Sequence, residues 1–232
     1  MVANKKKIVA LLALAAGGLL VFSALSKRGR ASAAEPTQPT LPAQPTTPDK
    51  AAYQVDWPRE RVLLIGDSLS VGLAPILESS LRARGVGDFS AIGRGGTNIK
   101  QWAQDVGDGA RLNEALTTFR PTLVLISLGT NDEATRKLSG YENFDVARQR
   151  APHIEQLRNK LSGVRSVWLG PPAADKWTAD RRFRDLLRAT WGDLYFDTEA
   201  VAPRKSTDLV HFSSAGNRTW RDAIVAWLES GR

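Results

Sequence analysis

The sequence predicts an α/β domain built on a mostly parallel β-sheet covered by helices on both faces. Two observations carry this. From about residue 59 onward, short runs of branched apolar residues alternate with longer segments whose apolar residues recur at helical spacing, the pattern of successive βαβ units. The runs are also continuously apolar, as strands buried on both faces must be.

The first run is Arg61-Val62-Leu63-Leu64-Ile65-Gly66, and the glycine ends it. Leu69, Leu73, Ile76, Leu77 and Leu81 then follow at helical spacing, predicting a helix over 69–84. Further strands are expected at 88–92, 122–128, 164–169 and 194–197, and further helices at 98–119, 143–162, 179–191 and 214–229. Pro152 falls inside one of these patterns, which predicts a kink or two helices there. The apolar runs and the seven tryptophans belong to the core.

The residues ahead of the domain have a different character. Lys5-Lys6-Lys7 precede Ile8 to Leu25, eighteen residues without a charge, and Lys27-Arg28-Gly29-Arg30 follow. This reads as a signal peptide or membrane anchor over residues 1–33. Ala31-Ser32-Ala33 has the form of a cleavage site, but three positive charges separate it from the apolar stretch, so an uncleaved anchor at 8–25 is favoured. Either way the domain is expected to be exported, in the periplasm or outside the cell. Residues 34–58 form a Pro/Thr-rich linker, with Pro36, Pro39, Pro42, Pro45 and Pro48 spaced every three residues, an extended tether. The domain proper is expected over 59–232.

Charge argues against nucleic acid as a partner. The net charge is +8, but the first fifty residues carry seven Lys/Arg against Glu35 and Asp49, leaving the rest near balance. No basic run interleaved with aromatics occurs in the domain. The chain has no cysteine, so neither disulfides nor a thiolate metal site is available.

Four turns hold the polar residues of interest. Ser68 stands where the first strand becomes a helix, a position suited to a nucleophile because the new helix offers free N–H groups to an oxyanion. Asp67 or Ser68 serves equally well as a helix cap on this window alone. After the second strand comes Gly93-Arg94-Gly95-Gly96-Thr97, where glycine lets backbone N–H approach a ligand or simply makes a turn. After the third comes Gly129-Thr130-Asn131-Asp132, where the Asn131 amide either donates to an oxyanion or forms an Asx turn. Ahead of the last helix stands Asp208-Leu209-Val210-His211, a carboxylate placed to orient an imidazole. The other histidine, His153, lies within a charged amphipathic pattern and reads as a surface or partly buried helix residue. Together the four turns make an acyl-transfer site.

In these blocks, Gly66-Asp67-Ser68-Leu69, the Gly95 region, Gly129-Thr130-Asn131-Asp132 and Asp208-Leu209-Val210-His211, the chain resembles the SGNH hydrolase superfamily, or GDSL esterases/lipases, over about residues 59–230. The resemblance implies a flavodoxin-like three-layer α/β/α sandwich with five parallel strands. It implies Ser68 as nucleophile, His211 as general base and then acid, and Asp208 as its orienting carboxylate. The oxyanion hole would be the N–H of Ser68, that of Gly95 and the Asn131 amide; Gly95 is preferred to Gly96 because Thr97 follows it by two. Gly170-Pro171-Pro172 would line the cleft wall. No metal or cofactor is implied. The expected activity is a serine esterase acting on short, acetyl esters of envelope carbohydrate or peptidoglycan. An O-acetyltransferase, a lipase or thioesterase, and a silent glycan-binding module are the alternatives. Asp67 is expected to hold the turn and to stand outside the triad.

Overall fold

A computed structural model describes residues 54–107, 109–138 and 144–231. The expected anchor at 8–25 and most of the linker lie outside these residues. Among the described residues, no helix is long and apolar enough to cross a membrane.

Five strands form one sheet: β1 (Arg61–Gly66), β2 (Asp88–Gly93), β3 (Leu123–Ser127), β4 (Arg165–Leu169) and β5 (Tyr195–Phe196). Their order is β2-β1-β3-β4-β5, and every pairing is parallel. Gly66 lies in register with Gly93 on one side and Ser127 on the other, so the carboxyl ends of β1, β2 and β3 finish level. Parallel strands need crossovers, and helices supply them. These are α1 (Ser68–Arg82), α2 (Ile99–Ala103), α3 (Gly109–Thr118), α4 (Thr130–Leu138), α5 (Val146–Lys160), α6 (Arg181–Trp191), α7 (Thr198–Val201) and α8 (Ser214–Glu229).

The strands divide their side chains between two cores, as the pleat requires. Val62, Leu64, Leu123 and Leu125 pack against Leu73 and Leu77 of α1 and Trp220 and Ile224 of α8. Leu63, Ile65, Val124 and Ile126 pack against Trp102 of α2, Ile154 and Leu157 of α5, and Phe183 and Leu187 of α6. The result is the expected three-layer sandwich.

Three local readings are corrected. Pro152 does not divide its helix in two: α5 runs unbroken over Val146–Lys160. Proline removes the N–H that would bond the carbonyl of Arg148, and both residues lie on the exposed side of the helix. The pattern at 98–119 is two helices. Lys160 Nζ closes the end of α2 by donating to the Ala103 carbonyl at 2.8 Å and to Asp105 at 2.6 Å. Gly109 then starts α3 so close to α2 that a Cβ would stand 2.3 Å from the Gln101 carbonyl oxygen. Finally, the segment after β3, read as a turn, is the start of α4.

Candidate active site

The site is assembled where β1, β2 and β3 end. Asp67 caps α1: its Oδ1 accepts from Leu69 N at 2.9 Å, and its own N–H donates to the Ser127 carbonyl at 3.0 Å. Ser68 is thereby the first residue of α1, half-buried, with a backbone N–H that no helical carbonyl can reach. The packing behind it leaves no room for side chains. A Cβ on Gly66 would fall 2.2 Å from the Ser127 carbonyl oxygen, and one on Gly93 would fall 2.5 Å from Ser70 Oγ.

The loop after β2 is drawn to the same place by Arg94 N, which donates to the Gly66 carbonyl at 3.0 Å. Gly95 faces the nucleophile, since a Cβ there would stand 3.8 Å from Ser68 Cβ. Gly96 faces open space and takes a left-handed φ of +78°. Asn131, in the first turn of α4, donates from Nδ2 to the Thr97 carbonyl at 2.9 Å. Thr97 is itself fixed, donating through Oγ1 to the Arg94 carbonyl at 2.9 Å and accepting from Trp102 Nε1 at 3.1 Å. One amide N–H of Asn131 orients the side chain, and the amide has a second to offer.

His211 and Asp208 come from the loop before α8. His211 Nε2 lies 2.8 Å from Ser68 Oγ, and His211 Nδ1 lies 2.5 Å from Asp208 Oδ2. An ionised carboxylate only accepts, so the ring proton belongs on Nδ1 and Nε2 faces Ser68 with its lone pair. The His211 hydrogen bond holds the Asp208 carboxyl well below the usual range, with help from Ser206 Oγ and the N–H groups of Val210 and His211. The loop is locked at its base. Ser206 N donates to the His211 carbonyl at 2.8 Å, and Phe212 packs edge-on to Trp220 with ring centres 5.0 Å apart.

All five residues singled out from the sequence, Ser68, Gly95, Asn131, Asp208 and His211, thus converge on one locality. His153 does not join them: it sits on α5 beside Arg150, where burial lowers its pKa. Pro171 stands beside Gly129, 3.3 Å from where its Cβ would be. A neighbouring cleft of about 310 Å³ is lined by Pro172, Ala173, Asp175, Glu199, Arg204 and Lys205. Among the described residues, no group of three or more His, Asp or Glu is placed to hold a metal ion.

Ser206 and Arg150 were not singled out from the sequence, and Thr97 entered only as the residue that marks Gly95. Ser206, two residues before Asp208, had the one readable signal, since a hydroxyl so placed turns back onto an Asx loop. Arg150 carried none.

A parallel 2-1-3-4-5 sheet with serine at the end of its second-placed strand and an Asp/His pair ahead of the last helix defines an SGNH hydrolase-type fold. The sequence profile of the family described as a protein of unknown function, DUF459, matches residues 61–190, and the chain belongs to that family. The matched region contains Ser68, Gly95 and Asn131 and ends before Asp208. No curated protein matches the chain in sequence. Among solved structures, it is similar to LAE5, an α/β hydrolase enzyme from the metagenome of Lake Arreo, Spain, at 16% identity and TM-score 0.61, covering 78% of this chain and 99% of that one. It is also similar to a catalytic mutant of Axe2, an acetylxylan esterase from Geobacillus stearothermophilus, at 19% identity and TM-score 0.58, covering 73% and 94%. A third is the psychrotrophic esterase EstA from Pseudoalteromonas sp., inhibited by monoethylphosphonate, at 18% identity and TM-score 0.56, covering 74% and 97%.

Proposed function

We propose that the protein is a serine esterase that releases short acyl groups, acetyl above all, from carbohydrate or peptidoglycan at the cell envelope. The observation that carries the reading is the unbroken chain from Asp208 Oδ2 through His211 to Ser68 Oγ, with links of 2.5 and 2.8 Å. Ser68 Oγ attacks the ester carbonyl while His211 Nε2 takes its proton, and Asp208 stabilises the imidazolium that results. The oxyanion is met by the N–H groups of Ser68 and Gly95 and by the Asn131 amide. His211 then returns the proton to the leaving alkoxide, deprotonates a water, and the acyl-enzyme is hydrolysed.

The neighbours support the same chemistry. Variants of Axe2 described as catalytic mutants replace a serine, a histidine and an aspartate three positions before that histidine, the spacing of Asp208 and His211. The acetylxylan esterases among them favour an acetylated glycan as substrate, as does the expected export of the domain past an anchor at 8–25.

The test is a product assay on acetylated glycans and on acyl esters of graded length. Release of free acetate, abolished in Ser68→Ala and in His211→Ala, is the expected result. Near wild-type release by either folded variant overturns the triad. Transfer of acetyl to a sugar hydroxyl in place of water identifies an O-acetyltransferase, and failure of Ser68 to react with a fluorophosphonate identifies a silent binding module.

A further inference from the structure

Behind the nucleophile lies a charge cluster that the esterase scheme does not use. Asp67 and Asp132 follow the ends of neighbouring strands, and both are fully inaccessible to solvent. Asp132 is well supplied: Arg150 Nε donates to its Oδ1, and Ile99 N donates to its Oδ2 at 3.2 Å. Asp67 receives only Leu69 N on Oδ1, and its Oδ2 is buried with no partner. Of the two buried carboxyls, Asp132 has a guanidinium partner and Asp67 has none, and both cannot ionise cheaply. The carboxyl with fewer donors, Asp67, is the one that keeps its proton. Burial pushes Asp67 up to about 7, and the charge on Asp132 adds to this. Burial also raises Asp132, with Arg150 opposing it. His153 of α5 and Lys100 of α2 are the further titratable groups near Arg150 and Asp132.

Each member is joined to part of the oxyanion hole. Asp67 precedes Ser68, Asp132 follows Asn131, and Ile99, held by Asp132, lies two residues from Thr97, whose carbonyl orients Asn131.

Resting on the esterase reading, we propose that Asp67 is a positioning residue that works only while neutral, kept so by its buried, unpartnered Oδ2 and by the neighbouring Asp132, and that its ionisation switches turnover off. A carboxylate there would put a buried negative charge at the amino end of α1, one residue from the oxyanion that must form. The ground-state ester is neutral, so the effect falls on kcat more than on KM.

The test compares pH profiles of kcat and KM for the wild type, Asp67→Asn and Asp132→Asn, with folding checked by thermal unfolding at each pH. Asparagine at 67 keeps the acceptor for Leu69 N and cannot ionise. In the wild type, kcat is expected to fall about tenfold per pH unit above neutrality, with KM nearly constant. That limb is expected to vanish in Asp67→Asn. In Asp132→Asn it should move to lower pH, because the negative charge of Asp132 that opposes ionisation of Asp67 is gone. An alkaline limb identical in all three proteins overturns the proposal. Carboxyl ¹³C NMR of labelled aspartate reads the same ionisation without turnover. A buried carboxyl titrating near neutrality, and lost in Asp67→Asn, supports the charge state even if no ester is hydrolysed, whereas its absence overturns the proposal independently of the esterase reading.

Discussion

Arg184 clasps Glu133 through two parallel hydrogen bonds, Nε to Oε1 at 2.7 Å and Nη2 to Oε2 at 2.8 Å, with side chains only 2% and 1% exposed. Arg184 also donates to Glu199 at 2.8 Å and to the Pro172 carbonyl at 3.0 Å, so one guanidinium ties α4, α6, α7 and the wall after β4 together. Removing it would strand a buried carboxylate. Arg184→Met is expected to destabilise the fold by about 3–5 kcal/mol in chemical denaturation, and adding Glu133→Leu should recover much of that loss. A single variant as stable as the wild type would show that the pair contributes nothing net.

Asn131 is oriented by Thr97 rather than by its own turn. Asn131→Ala should lower kcat by about 10²- to 10³-fold with little change in KM, as expected for a donor that bonds only the oxyanion. A purely structural asparagine would show up as a fall in melting temperature with kcat retained.

The two adjacent glycines of the oxyanion loop are expected to fail in different ways. Alanine at Gly95 meets Ser68 Cβ at an ordinary contact distance of 3.8 Å, so the fold should survive. The added methyl crowds the space above the nucleophile, and kcat/KM should fall by about ten- to a hundredfold. Alanine at Gly96 meets nothing within 4 Å but must hold a φ of +78°, which should remove about 1–2 kcal/mol of stability. Steady-state kinetics and thermal unfolding of the two variants separate these outcomes, and equal kinetic damage would contradict the distinction.

Ser206 donates to Asp208 Oδ1 at 2.7 Å and helps hold that carboxylate ionised under His211. Ser206→Ala leaves three donors in place, so kcat/KM should drop only about three- to tenfold. The Asp208 carboxyl should also move up toward its ordinary range. Because a lowered carboxyl pKa favours the folded triad above that range and loses its effect as pH falls, the variant should lose activity at higher pH than the wild type on acidification. An unshifted acid limb would show that Ser206 does not act on Asp208.

How far the sequence exposes this architecture depends on whether a residue's partner is local. Val62 to Ile65 and Leu123 to Ile126 announce buried parallel strands because every side chain is apolar, and Asp208 announces its bond to His211 because three residues separate them. Helix α4 is hidden because its buried first turn, Thr130 to Glu133, is polar or charged. Its burial is made possible by Arg150 and Arg184, which lie 18 and 51 residues from their carboxylate partners, on helices where arginine reads as a solvated face. The same holds for the two parts of α2–α3, whose separation depends on Lys160 reaching back to Ala103.

Asp67 should also leave its mark on folding stability, with a sign opposite to the usual carboxylate. Its folded-state pKa lies near 7, above the ordinary 3.8, so the folded protein holds a proton that the unfolded chain has lost. The stabilising contribution of that proton is complete below about pH 4, where the carboxyl is protonated in both states, and it declines as pH rises toward 7. Asp67→Asn removes this dependence while keeping the acceptor for Leu69 N. Thermal unfolding between pH 4 and pH 8 should therefore show the variant gaining on the wild type as pH rises, with the difference levelling off above the folded-state value. Parallel curves for the two proteins across this range would mean that the Asp67 carboxyl titrates alike in the folded and unfolded chain.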